Sequence, residues 1–128
     1  MEKDFDKWND LKKEIDKSNR VVYANQREIW WCSFGLNIGT ELYGKNELFE
    51  RPVLILKVYN KDTLKVIPLT SKKHNSKYYS GVLLYERITS YASFTQTKTI
   101  STKRLSRKIG RINKEQFKII VQNYKDSF

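Results

Sequence analysis

The chain has 128 residues, with 25 Lys and Arg against 14 Asp and Glu, a formal net charge of +11 and a single cysteine. That length suits one domain with a modest core, and an aromatic content of 13% with only 5 Gly and 2 Pro excludes a disordered or collagen-like chain. No apolar run reaches the roughly 18 residues of a membrane span, the charged start MEKDFDKWND offers no apolar segment for a secretory signal, and the lone Cys32 cannot form an intrachain disulfide, so a reducing, cytoplasmic setting is expected. The positive balance favours polyanionic partners. Nucleic acid comes first, an acidic protein second.

In chain order, residues 1–19 predict an amphipathic helix: Phe5, Trp8, Leu11 and Ile15 recur at three- and four-residue steps among charges, and Ser18 and Asn19 suit its end. Such a helix either packs on the domain or serves as a lid or partner-binding arm. The period then changes. Glu28–Phe34, Pro52–Val58 and Thr63–Leu69 are short runs rich in Ile, Val, Leu and Trp and read as strands. Asn60–Lys61–Asp62 reads as a hairpin turn. Gly81–Tyr85 and Phe94–Ile100 predict two more strands, and Lys103–Lys108 a short helical turn. Asn113 is a natural N-cap with Gln116 at the third helical position, as in a capping box, and Ile112 with Phe117 can staple the start. Phe117, Ile120, Val121 and Tyr124 share one face of that last helix. Short connections between strands predict a mainly β, α+β domain, a meander or small barrel rather than βαβ units. The segments Gly35–Glu50 and Ser71–Ser80 are long loops for so small a domain, which points to function.

The chemistry is bounded by what is scarce. His74 is the one histidine, and it sits in the polar run Ser71–Lys72–Lys73–His74–Asn75. No His, Cys and carboxylate set has metal-ligand spacing, and no glycine-rich phosphate loop occurs, so no metal and no cofactor are expected. RNA carries its own nucleophile, the 2′-OH. A protein that uses it needs alignment, charge stabilisation at phosphorus and proton transfer.

Several segments, taken in order, resemble the PemK-like, MazF-type toxins of bacterial toxin–antitoxin systems. They are Arg27–Glu28–Ile29–Trp30–Trp31, then Gly39–Thr40–Glu41 with Gly44–Lys45, then Arg51–Pro52–Val53–Leu54–Ile55–Leu56, then Val66–Ile67–Pro68–Leu69–Thr70–Ser71, then Gln96–Thr97–Lys98–Thr99–Ile100–Ser101 with Arg104–Leu105, and Ile109–Gly110 before the last helix. The resemblance spans about 27–124. It implies a toxin domain over 27–128, built as a small SH3-like, CcdB-type β-barrel with a C-terminal helix, and leaves 1–26 as an added N-terminal helical extension. Asn46–Glu50 is an insertion relative to the family pattern, and Ser33 stands where Asp is common.

The resemblance also implies an endoribonuclease that cuts single-stranded RNA, forms a homodimer and is neutralised by a cognate antitoxin. It makes Arg51 and Thr70 the catalytic pair. A guanidinium can bind two phosphate oxygens, but its solution pKa near 12.5–13.8 makes it a poor base, so Arg51 is assigned to charge stabilisation. The Thr70 hydroxyl can donate to a phosphate oxygen. Gln96 would hold the nucleotide or orient Arg51, or is simply a polar strand residue. RNA contacts are expected from Glu41, Tyr43, Lys45 and Phe49 in the first loop, from Ser71, Lys72, Lys73, His74, Lys77 and Tyr78 in the second, and from Lys98. Tyrosine and phenylalanine can stack bases and lysines can meet phosphates. One of Trp30 and Trp31 must face away from the barrel interior, because strand neighbours point to opposite sides. The basic run Lys103, Arg104, Arg107, Lys108 and Arg111 suits RNA, an acidic antitoxin tail or a solvated face. The competing readings are a non-catalytic toxin or binding module on the same barrel, and a DNA-binding regulator.

Overall fold

The computed structural model describes residues 5–17, 21–34, 50–84 and 87–128, with the side chains of 16, 17 and 87–89 left aside. Helix α1 (Phe5–Lys17) precedes the strands β1 (Glu28–Ser33), β2 (Glu50–Asn60), β3 (Thr63–Thr70), β4 (Tyr79–Leu84) and β5 (Arg87–Ser93). A 3-10 turn (Phe94–Gln96), β6 (Lys98–Ser101), a second 3-10 turn (Thr102–Arg104), β7 (Leu105–Arg111) and helix α2 (Lys114–Asp126) complete the chain. The strands lie in the order β4-β5-β3-β2-β1-β7, with β6 also paired to β3, and every pairing is antiparallel. This is the mainly antiparallel fold with a helix at each end that strand spacing predicted.

β2 and β3 form the spine because both of their faces are buried. On one face Leu54, Leu56, Ile67 and Leu69 pack with Ile29, Val82, Ala92, Ile112 and Ile120, and the α2 stripe of Phe117, Val121 and Tyr124 closes over them. On the other face Val53, Ile55, Leu64 and Val66 pack with Cys32, Phe34, Ile100 and Leu105. A strand buried on both sides loses the in–out alternation, which is why 52–56 reads as one continuous apolar run. Cys32 is fully buried, and burial pushes its thiol up to about 12. The β2–β3 hairpin turns at Lys61–Asp62, where the Asn60 side chain accepts the Asp62 N–H at 2.8 Å.

The last helix starts where expected: the Asn113 side chain accepts the Gln116 N–H at 2.8 Å. The capping box is only half made. The Gln116 amide reaches across to β4, accepting from the Leu83 N–H and donating to the Leu83 carbonyl at 2.8 Å. Two strand assignments need correction. Phe94–Ile100 is a 3-10 turn followed by the short β6, while the preceding strand, β5, has no apolar run to announce it. Lys103–Lys108 is not a helical turn: its first residues close the second 3-10 turn and the rest enter β7, which pairs with β1 through two register shifts. The N-terminal helix is present over Phe5–Lys17. Its expected stop at Ser18 and Asn19, like Tyr85, lies outside the described residues.

Candidate active site

Arg51 and Thr70 come together because β2 starts where β3 ends. Val53 lies opposite Pro68, and from there Arg51 reaches over to donate from Nη1 to the Leu69 carbonyl at 3.1 Å. Arg51 is 7% exposed, so its guanidinium is a held group rather than a waving surface charge. Thr70 is half-buried, faces Tyr91 of β5 in the ladder, and its Oγ1 accepts the Lys72 N–H at 3.3 Å. That bond turns the chain sharply out of β3 into the loop carrying Lys72 and Lys73, both exposed.

A cleft of about 260 Å³ opens here, walled by Trp31, Glu50, Arg51, Pro52, Leu69, Ser71 and Ser90. Trp31 supplies an aromatic wall with the Arg107 guanidinium over its ring at 4.9 Å. Glu50, 3% exposed, holds the other side. It pairs with Arg107 at 3.7 Å and takes a hydrogen bond from the Ser106 hydroxyl, which also reaches the Trp31 carbonyl at 3.2 Å. Trp30 turns the other way, packs beside the second core cluster and donates its indole N–H to Glu28 at 3.0 Å. The expected split between the two tryptophans is therefore present, and Trp31 is the one at the cleft. The site combines a fixed cation, hydroxyls and an aromatic wall, which suits a phosphodiester flanked by a base. A larger cavity of about 450 Å³ beside α2, lined in part by Lys57, Tyr59, Phe117 and Phe128, holds none of the candidate catalytic or RNA-binding residues.

The remaining candidates scatter. Ser71 lines the cleft. His74 is half-buried and stacks on Tyr79 with ring centroids 3.8 Å apart, so the loop folds back on the start of β4. Lys77 lies over the ring of Tyr78 at 5.2 Å, and both are exposed. Lys98 sits over Phe34 at 5.3 Å. Gln96 is in the first 3-10 turn rather than a strand, bonds to Thr95 at 3.5 Å and is not among the residues walling the cleft. Glu41, Tyr43, Lys45 and Phe49 lie outside the described residues. Sequence reasoning did not single out Glu50, Ser90 or Ser106. The available signal was the position of Glu50 beside Arg51.

Residues 25–128 match the sequence profile of the PemK-like, MazF-like toxins of type II toxin–antitoxin systems. The chain belongs to that family. Solved structures share the fold of this MazF-like chain. A MazF from Deinococcus radiodurans is 13% identical with a TM-score of 0.67, over 83% of this chain and 96% of its own. An endoribonuclease from Mycobacterial species, in complex with its cognate antitoxin, is 12% identical with a TM-score of 0.65, over 82% and 94%. The Mycobacterium tuberculosis toxin MazF-mt6 is 21% identical with a TM-score of 0.56, over 80% and 96%. Among curated proteins nothing matches the sequence significantly.

Proposed function

We propose that this MazF-like toxin is an endoribonuclease that cuts single-stranded RNA through the strand's own 2′-OH, without a metal ion. The observation that carries the reading is the Arg51 guanidinium, bonded to the Leu69 carbonyl in the wall of a cleft that Leu69 and Ser71 line on either side of Thr70 in sequence. In the reaction the 2′-oxygen attacks phosphorus, the bond to the 5′-oxygen breaks, and the 2′-proton leaves while the departing oxygen gains one. The products are a 2′,3′-cyclic phosphate, or the 3′-phosphate from its hydrolysis, and a 5′-OH end. Arg51 stabilises the charge that builds on the non-bridging oxygens, and the Thr70 hydroxyl donates to one of them. Lys72, Lys73 and Lys77 draw the backbone towards the cleft, and Trp31 and Tyr78 offer faces for bases. A homodimer and a cognate antitoxin with an acidic or apolar tail complete the proposal. Support for the antitoxin comes from the family and from the mycobacterial neighbour held by its own.

The test is purified protein on mixed RNA with EDTA present. Cutting is expected, is abolished by 2′-deoxy substitution at the cleaved position, and slows about 100-fold or more in Arg51→Ala and Thr70→Ala, the scale of losing one aligned transition-state donor. Intact RNA with well-folded wild-type protein overturns the reading. Variants that cut at the wild-type rate overturn the residue assignment.

A further inference from the structure

The cleft sits where β2 starts and β3 ends; the cavity of about 450 Å³ lies at the other end of the spine, between α2 and the β2–β3 hairpin. Its floor is apolar, made by Leu56, Phe117 and Val121, which belong to the first core cluster or pack against it. Tyr59 and Phe128 flank that floor and are 50% and 85% exposed, so aromatic surface is left in water beside it. Lys57, Lys65 and Lys125 complete the walls. They enter neither ion pair of the described residues, Glu50–Arg107 and Glu28–Lys108. The acids of β2, β3, their turn and α2 are Glu50, Asp62, Glu115 and Asp126, and none of them lines the groove. Glu50 stands in the cleft, and Asp126 accepts from the Gln122 amide at 2.9 Å. The segment 21–27, which brings in Gln26, carries no acid.

An apolar floor ringed by ammonium groups fits an occupant with apolar side chains and carboxylates. A second copy of the chain fits less well. A symmetric contact puts the same patch on both sides and sets these lysines against their own copies. RNA also fits less well. Its phosphates suit lysines, but its bases bring polar edges, and the Gln26 amide N–H already goes to the Leu56 carbonyl at 3.1 Å. The Tyr124 ring is no open stacking platform: Lys65 lies over it at 5.9 Å, and Phe94 and Phe128 pack edge-on at 5.7 and 5.1 Å. An acidic peptide meets both demands, with aliphatic or aromatic anchors for the floor and carboxylates for the rim. Leu56 and Tyr59 stand five and eight residues along β2 from Arg51, roughly 17 and 26 Å at about 3.3 Å per residue. A partner held here need not displace RNA, unlike one that covers the cleft.

We propose that the groove between α2 and the β2–β3 hairpin docks an acidic protein segment with apolar anchor residues, at a surface separate from the cleft. The proposal stands whether or not the cleft cuts RNA. The probe is a pool of labelled twelve-residue peptides in which two positions are randomised among Leu, Ile, Phe and Trp and the rest are Asp, Glu or Ser. Saturable binding to the full chain is expected at about 0.1 M salt, with Kd on the order of 10–100 μM. Lys57→Glu/Lys125→Glu weakens it at least about tenfold, and Tyr59→Ser about fivefold. The control Lys114→Glu/Lys118→Glu carries the same charge change on exposed α2 positions outside the groove and stays within about twofold. A pool with Lys in place of the acids binds Lys57→Glu/Lys125→Glu and not wild type. The substituted side chains are exposed, and melts confirm that each variant is folded. Saturating peptide leaves the affinity for a fifteen-nucleotide 2′-O-methyl RNA within about twofold. No saturable binding, or equal weakening in both charge variants, overturns the proposal. So does RNA that displaces the peptide and itself binds about tenfold more weakly to Lys57→Glu/Lys125→Glu alone, which assigns the groove to nucleic acid. A dimer that Tyr59→Ser breaks apart in sedimentation overturns it in favour of a subunit contact.

Discussion

Burial alone would push the Glu28 carboxylate towards its neutral form. The Asn25 N–H at 2.8 Å, the Trp30 indole and the Lys108 ammonium at 3.0 Å outweigh that cost and hold it below the usual carboxylate range. A carboxylate depressed in the folded state adds stability above its unfolded pKa and loses it as pH falls through the folded one. In melts between pH 7 and pH 3, Glu28→Gln should therefore start below wild type and lose less on acidification, so the two curves converge at low pH. Single residues of the site were legible to different degrees. Arg51 and Thr70 are named through the family resemblance; the place of Arg51 at the start of an apolar strand supports its choice, while Thr70 by itself reads as a β-former ending its strand. Glu50 had only its place beside Arg51 to mark it, since its partners Ser106 and Arg107 are far along the chain and β7 beside β1 brings them near. Gln96 was misplaced because the threonines around it are strand-formers, so 94–100 reads as one strand although Phe94–Gln96 form a 3-10 turn.

At the scale of elements, α2 was the clearest because its signals are local: a cap, a staple and a stripe within one segment. β5 and β7 were obscure because their sequences, RITSYAS and LSRKIGR, have little apolar content and become strands by pairing with β3, β4 and β1. Edge strand β4 is also tied to α2 by the Gln116 amide, which meets both backbone groups of Leu83. Asn113→Ala should cost about 1 kcal/mol through the lost cap. Gln116→Ala should do something different: amide exchange at Leu83 and its neighbours should speed up at least tenfold, with a smaller change in global unfolding. Equal exchange in both variants would show that the amide pair does not hold the edge.

Considered whole, the molecule is a two-faced spine with a charged helix resting on one flank. Contacts of α1 fall mainly on the second 3-10 turn, while Val22 and Ala24 pack against the second core cluster. A chain beginning at Val21 should therefore unfold in one cooperative step, with a melting temperature only a few degrees lower; a broad or multistep melt would show that α1 is integral to the core. One more property follows from the centre of that core. The chain's single sulfhydryl is sealed inside it and held protonated at neutral pH. A maleimide dye or nitroxide would thus attach only where a new cysteine is placed, for instance through Ile119→Cys on the outer side of α2, with no need to remove the native one.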